Sequence, residues 1–277
     1  VLAALLADGH DVTAIARSEQ SAKALDAAGA TAVIGDITDI PWFTAQLRAV
    51  DGAVHTATSG DESSADFDKA AATAAAAAFE GSGKPYVHTS GVWVYGSGDD
   101  ITEDTPFDAP AITAWREQVE RIALATKGAR VSIVVPAIVY GEGKGIPNVL
   151  AQAPRNADGA LVLVGDGSQH WATVHVDDLA DLYVRVLTAG RDGSYYIGAS
   201  ASPTVRELGE AASRSSGSGA VVADTVEGTR ARLGDAFADA LLISQRATGA
   251  RARTELGWAP AGPSLIDELA HGSYLAG

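Results

Sequence analysis

The sequence predicts an α/β protein: a doubly wound parallel sheet with a smaller, interleaved C-terminal lobe. Short apolar runs alternate with helix-patterned segments from residue 11 to residue 198. Such alternation builds βαβ units, whose parallel sheet is covered by helices on both faces. Tyr86 to Thr89 and Arg130 to Val135 are compact and mostly apolar, as strands buried on both sides are. A chain of 277 residues, 47% of them hydrophobic, is long enough to bury a sizeable core.

The elements follow in order. Val1 to Ala7 reads as a helix closed by Gly9, and Asp11 to Ala16 as a strand ending at Arg17 and Ser18. A helix over Ser21 to Ala28 stops at Gly29. The strand Thr31 to Gly35 then delivers Asp36. Pro41 to Ala49 is helical, Ala53 to Thr56 a strand, and an acidic loop leads into an alanine-rich helix, Ala65 to Phe79. Lys84 and Pro85 stop that run before the strand Tyr86 to Thr89. Ser90 and Gly91 release the chain into a long loop holding Asp99, Asp100, Glu103 and Asp104. Ile112, Trp115, Val119, Ile122 and Ala123 recur at helical spacing within Ala111 to Ala125. Arg130 to Val135 is a strand broken by Pro136, and Ile138 to Gly145 reads as a loop. Asp177 to Leu187 is a helix with two acids at its start, and Ser194 to Ile197 the last strand. Beyond Ser202 helices dominate, punctuated by Ser215-Ser216-Gly217-Ser218-Gly219.

Composition narrows the function. A formal charge of −15 argues against nucleic-acid or anionic-membrane partners, both of which need clustered Lys and Arg. With no cysteine, disulfides, zinc–thiolate sites and thiol nucleophiles are excluded. Six scattered histidines lack ligand spacing, so no metal site is expected. The apolar start has no basic leader and is too short to span a bilayer, which implies a cytoplasmic protein. The chain contains no methionine at all, and it reads as a piece of a longer protein.

In an open α/β sheet, ligands bind beyond the carboxyl ends of the strands. Thr89 and Ser90 are therefore expected as hydroxyls looking into a cleft; the alternative is an ordinary strand-to-loop turn.

Several fragments, in order along nearly the whole chain, carry a resemblance. They are Ala7-Asp8-Gly9-His10 leading to Arg17; Gly35-Asp36; His55-Thr56-Ala57; Thr89-Ser90 with Val94-Tyr95-Gly96; Pro136 with Val139-Tyr140-Gly141; His175-Val176-Asp177-Asp178; and Glu255-Leu256-Gly257-Trp258. Together they resemble the extended or atypical short-chain dehydrogenase/reductase superfamily, of the NAD(P)-dependent epimerase/dehydratase type. The resemblance implies a Rossmann dinucleotide-binding domain over 1–140 and 172–200, with a substrate-binding lobe over 141–171 and 201–277. It also implies a first strand and a glycine-rich, pyrophosphate-binding turn ahead of the opening helix. Without that strand, its two neighbours would be left unpaired.

By the same resemblance, Arg17 stands where an acid would accept from the ribose of NAD. A cation there, with Ser18 as a further donor, suits the 2′-phosphate of NADP, with NAD as the alternative cofactor. Asp36 would accept from the adenine amino group and Ile37 would cover the ring. Thr56, Ala57, Thr58 and Thr89 would line the middle of the cofactor, and Pro136 and Val139 would pack on nicotinamide. The superfamily's catalytic Tyr and Lys lie four apart on a helix, where the Lys lowers the phenol's pKa. Tyr140 and Lys144 have that spacing, but two glycines between them argue against a helix. The helix expected to carry the pair, Ala111 to Ala125, has neither residue type; aligning on Glu120 puts Thr113 and Glu117 in their places. The family's catalytic hydroxyl falls on Gly91, with Ser90 one residue earlier. Ser90, Thr113 and Glu117 are thus the catalytic candidates, while Glu117 and Glu120 also read as a solvated helix face. Trp93, Trp171 and Trp258 read as core or pocket wall, His175 as a residue ordering a helix start, and His170 as a pocket-lining candidate.

The function implied is an atypical NADP-dependent oxidoreductase acting on a small carbonyl or hydroxyl substrate. A non-catalytic NAD(P)-binding sensor or regulatory protein is the alternative. A homodimer paired through helices like Ala65 to Phe79 and Ala111 to Ala125 is the assembly the resemblance suggests.

Overall fold

The computed structural model describes residues 1–215 and 219–275. In chain order these form α1 (Leu2–Ala7), β1 (Thr13–Ala16), α2 (Glu19–Ala27), β2 (Thr31–Ile34), α3 (Ile40–Arg48) and β3 (Ala53–His55). There follow α4 (Ser64–Phe79), β4 (Pro85–Thr89), a 3₁₀ turn over Val92–Tyr95, β5 (Gly98–Ile101), α5 (Arg116–Leu124) and β6 (Arg130–Pro136). Next are β7 (Ile138–Tyr140), α6 (Asn148–Ala151), β8 (Leu161–Val162), β9 (Thr173–His175), α7 (Val176–Ala189) and β10 (Ser194–Gly198). The chain closes with α8 (Val205–Ser215), β11 (Val221–Val222), α9 (Val226–Leu233), α10 (Asp235–Leu242), β12 (Gln245–Ala247), α11 (Ala250–Leu256) and α12 (Leu265–His271). Two compact units emerge. One comprises Val1–Ser90, Trp115–Val134 and Ala180–Tyr196; the other comprises Gly91–Ala114, Val135–Leu179 and Ile197–Gly277.

The first unit is the α/β layer. Its main sheet runs β10-β6-β4-β3, with β3–β4 and β4–β6 pairing parallel. β1 and β2 form a separate parallel pair, so β1 and β3 each keep one unpaired edge among the described residues. Alanine is the strongest helix former, and in α4 it also lets neighbours approach closely. Ala72, Ala74 and Ala75 lie buried in one cluster with Phe79, Tyr86, Val119 and Val131. At the far end of the sheet Arg130 ties down the last turn of α7. Its guanidinium donates to the carbonyls of Leu187 at 2.6 Å and Gly190 at 2.8 Å. These are orphan acceptors of a helix C-terminus, where a cation is favoured.

The second unit has its own core, in which Trp171, Leu163, Leu208, Leu241 and Leu269 meet. Two segments expected as loops form ladders instead. Ile138–Tyr140 pairs in parallel with Thr173–His175, and the acidic stretch Gly98–Ile101 pairs with Gln245–Ala247. Charges disguise the second strand: Asp99 and Asp100 are exposed, and Ile101 alone turns inward. Gln245, itself buried, fixes the 3₁₀ turn by donating to the carbonyls of Val92 at 2.8 Å and Gly96 at 2.7 Å. The expected helix over Ala111 to Ala125 begins only at Arg116, after turns through Trp115. Of the expected break at Ser215-Ser216-Gly217-Ser218-Gly219, the central three residues lie outside the described residues. No helix among the described residues is long and apolar enough to cross a membrane.

Candidate functional site

Two groups of polar residues occupy the carboxyl ends of strands in the first unit. One lies around β3 and β4, where pleating sends successive side chains to opposite faces. Tyr86, His88 and Ser90 share one face, and Val87 and Thr89 the other. Thr89 and Ser90 therefore cannot look into one cleft together, as their adjacency in sequence suggests. The Thr89 hydroxyl donates to the His55 carbonyl at 2.5 Å and accepts from Tyr183 of α7 at 2.7 Å. Burial raises the Tyr183 pKa, which keeps that phenol a donor. Ser90 faces the other way and is buried.

On the Ser90 face a dry polar chain has formed. Parallel register sets His55 opposite His88, and the rings stack with centroids 5.2 Å apart. The Tyr86 hydroxyl and Nδ1 of His88 share a hydrogen bond at 2.9 Å; burial keeps the phenol protonated and holds His88 well below its ordinary pKa, hence neutral. His55 Nε2 donates to the Asp68 carboxylate of α4 at 3.0 Å. Arg116, opening α5, approaches the same carboxylate at 3.5 Å and donates to the Thr89 carbonyl at 3.2 Å.

Four residues further along α5, Glu120 is buried at 1% exposure, which corrects its reading as part of a solvated face. Tyr195 donates to its Oε2 at 3.0 Å. Its Oε1 and the Ser90 hydroxyl are both buried without a hydrogen bond of normal length. Ser90 is still near enough to lower the Glu120 pKa slightly; desolvation outweighs it, and the carboxyl sits above its usual range. Glu117 points outward and pairs with Arg121 at 2.6 Å, apart from this group. Thr113 belongs to the second unit, where its hydroxyl bonds the Pro110 carbonyl at 3.4 Å in the turns before α5.

The second group is open. Arg17 leaves β1 exposed and makes no ion pair or side-chain hydrogen bond among the described residues. It contributes to the field that lowers Asp36 at the end of β2 and Asp61 beyond β3, after the Thr38 and Ser63 hydrogen bonds that dominate those shifts. Ser18 caps α2 through a capping box with Ser21. Thr56 and Ala57 are exposed, and Thr58 accepts from the Gly60 amide. Ile37 is core, packed with Phe67 and Ala71 and not offered as a surface for a ring. Pro136 and Val139 lie partly buried in the second unit; Val139 pairs with Val174 in the β7–β9 ladder. The fit to a dinucleotide's adenosine end thus rests on an unengaged cation, exposed Thr56 and Ala57, and an ionised Asp36.

The second unit also corrects or explains several motifs. Tyr140 lies in β7, donates to the Pro263 carbonyl at 2.8 Å, and has its pKa raised to about 12 by burial. Lys144 is exposed and pairs with Glu142, so the Tyr140–Lys144 spacing is not a catalytic pair. His175 accepts from the Asp177 amide at 3.3 Å and orders the start of α7. The indoles of Trp171 and Trp258 are core, each donating to a backbone carbonyl. A cavity of about 450 Å³ is lined by residues that include Asp99, Asp100, Arg246 and Arg253, and none of the site residues expected from the sequence borders it.

The parallel sheet, the helices on both its faces and the polar strand ends define a Rossmann-type nucleotide-binding protein. Residues 1–198 match the NAD dependent epimerase/dehydratase family, and the chain belongs to that family. That family is an NAD dependent one. It is similar to the uncharacterized protein C2A9.02 of Schizosaccharomyces pombe, 31% identical over 69% of this chain and 67% of that protein. The human epimerase family protein SDR39U1, solved with NADPH, superposes with a TM-score of 0.74 at 20% identity, over 98% of this chain and 94% of that one. The dTDP-glucose 4,6-dehydratase DesIV of Streptomyces venezuelae, solved with NAD, gives 0.73 at 25% identity, over 98% and 91%.

Helix α5 carries neither Tyr nor Lys. Sequence reasoning missed Arg116 and Glu120 as inward-facing residues; it gave His55 a place in a family fragment without a role, and gave Asp68 and His88 none. Arg116 and Glu120 have the i,i+4 spacing that puts two side chains on one helix face, which was the available signal.

Proposed function

We propose that the protein is an NADP-dependent oxidoreductase acting on a small carbonyl or hydroxyl substrate. The observation that carries the cofactor choice is Arg17, an exposed cation at the carboxyl end of β1 that makes no ion pair or side-chain hydrogen bond among the described residues. A guanidinium there matches a phosphate monoester, whereas a carboxylate would match a bare ribose hydroxyl. One structural relative was solved with NADPH and another with NAD, so the family fold accepts either. When bound, the nicotinamide supplies or takes up hydride. The protein's share is to bind and orient the dinucleotide and to manage the proton that accompanies hydride. Without Tyr and Lys on α5, Ser90 is the hydroxyl assigned to the substrate oxygen.

The test is titration of the protein with NADPH and NADH, followed by Arg17→Ala. NADPH should bind about tenfold tighter, the low end for a charge-assisted hydrogen bond (~1.4 kcal/mol) because Arg17 is exposed and screened. Arg17→Ala should abolish that preference. Equal binding of both cofactors, unchanged in the variant, would overturn the NADP assignment.

A second reading, a dinucleotide-binding sensor without turnover, draws on the Thr89 hydroxyl being fully engaged and on the missing Tyr–Lys pair. Labelled NADPH offered with a panel of aldehydes and ketones separates the two. Transfer of label identifies the enzyme, and binding without transfer identifies the sensor.

A further inference from the structure

We propose that the second unit carries a binding site for a small zwitterion, a molecule with one amine and one carboxylate such as an amino acid or a dipeptide, in the cavity bounded by β5, β12 and α11.

Strand pairing builds the site. β5 and β12 run parallel, with Gly98 opposite Gln245 and Ile101 opposite Ala247, and the register shifts between those two pairs. Asp99 and Asp100 therefore both stand opposite one residue, Arg246. Such a bulge re-aims side chains that a regular strand would send to opposite faces. Here both aspartates border the same cavity as Arg246, together with Ser202, Thr248 and Arg253. At about 450 Å³ it falls within the size range of small-molecule pockets.

The charges on its wall do not close on one another. Arg246, Asp99 and Asp100 make no ion pair or side-chain hydrogen bond among the described residues, although nearby Arg251 and Asp104 pair at 2.8 Å. Water suffices for a lone exposed charge. Opposite charges that converge on one concave wall without touching are complementary to a ligand that bears both signs. Arg253 is fixed in advance: its Nε donates to the Thr248 carbonyl at 3.0 Å, and its guanidinium lies over the buried Trp258 ring, 5.3 Å from the centroid. A planar fork already held in place loses little freedom on meeting a carboxylate.

Charge selects the ligand class. The two arginines and two aspartates cancel, whereas the whole chain carries −15. A polyanion would be repelled by the acids and by that overall field, and a simple cation would meet the arginines. A molecule of zero net charge with separated ends suits both walls, its carboxylate on the guanidinium side and its amine on the aspartate side. The site shares no residue with the cofactor candidates, so it is independent of the oxidoreductase reading.

The test is calorimetric titration of the full chain, at low salt to limit screening, with a panel of free amino acids and dipeptides. Each is compared with its N-acetylated and its C-amidated form. At least one zwitterion should bind with a dissociation constant of about 1 mM or below, and blocking either end should weaken it about tenfold. Arg246→Ala should weaken the parent compound about tenfold and leave the C-amidated form unaffected. Replacing both aspartates (Asp99→Asn with Asp100→Asn) should weaken the parent likewise and leave the N-acetylated form unaffected. Arg17→Ala should change none of these affinities. The blocked ligands decide the matter on the wild-type chain even where a variant fails to fold. The proposal is overturned if no panel member binds, if blocked and free forms bind alike, if folded variants bind as the wild type does, or if inorganic phosphate binds as tightly as the best zwitterion.

Discussion

The ends of β1 and β2 and the ends of β3 and β4 belong to the same compact unit and solve opposite problems. At β1 and β2 the side chains are wet: Arg17 and Asp36 are exposed, and their strands are only partly buried. At β3 and β4, His55, Asp68, His88, Ser90 and Glu120 are all buried; His55 and Arg116 pair with Asp68, and Tyr86 bonds His88. In water an ion pair is worth little, and its value lies in recognising something that arrives. In a dry interior the same groups must satisfy each other, and each becomes expensive to remove. Recognition therefore suits the first region, and holding strands and helices together the second.

The largest effect that sharpens this contrast is Asp68→Ala. It strands the His55 N–H and the Arg116 guanidinium in the interior, and should cost about 3–5 kcal/mol of unfolding free energy by denaturant titration. A loss below about 1 kcal/mol would place this network with ordinary surface pairs. Next is the acid limb of stability. His88 has a folded pKa held well below 6.5, so below pH 6.5 the unfolded state binds a proton that the folded state refuses. Stability should fall with decreasing pH through that window, with a slope approaching about 1.4 kcal/mol per pH unit for one proton. His88→Gln should remove that part of the slope, and an unchanged slope would argue against a neutral His88. Arg17→Ala, in the wet region, should leave the melting midpoint unchanged, within about 0.5 kcal/mol, while altering cofactor preference. Smallest of all is Gly91→Ser. Its φ of −171° is extended backbone that any residue adopts, and the new side chain points into open space. Its stability change should stay within about 0.5 kcal/mol by calorimetry; a larger loss would show that the space is filled.

Much of the α/β layer was legible because each element carried its own signal. Gly9 and Gly29 follow their helices at positive φ, and β4 and β6 read as compact buried runs. The rejection of Tyr140 and Lys144 also needed only local information, the glycines between them. What sequence could not supply was partnership across elements. Asp68 sits among helix-forming residues near the start of α4, where an acid normally complements the helix dipole, and nothing in its neighbourhood names His55. Glu120 stands between charged Glu117 and Arg121, which makes its surroundings look solvated although it continues the inward face of Arg116. β5 was hidden for a similar reason: two aspartates mask a strand whose partner lies far along the chain.

That distant partnership has a consequence for how the polypeptide is made. The 3₁₀ turn carrying Val92 and Gly96 is pinned by Gln245, which is 149 positions later than Gly96. At roughly 5–20 residues per second on the ribosome, some 7–30 s separate the emergence of the two. Throughout that interval the segment just downstream of Ser90 waits unanchored, with its loop-closure entropy still to be overcome. Variants that weaken Gln245 should therefore reveal themselves in yield from cells and in sensitivity to chaperone supply before they register in the melting of purified protein.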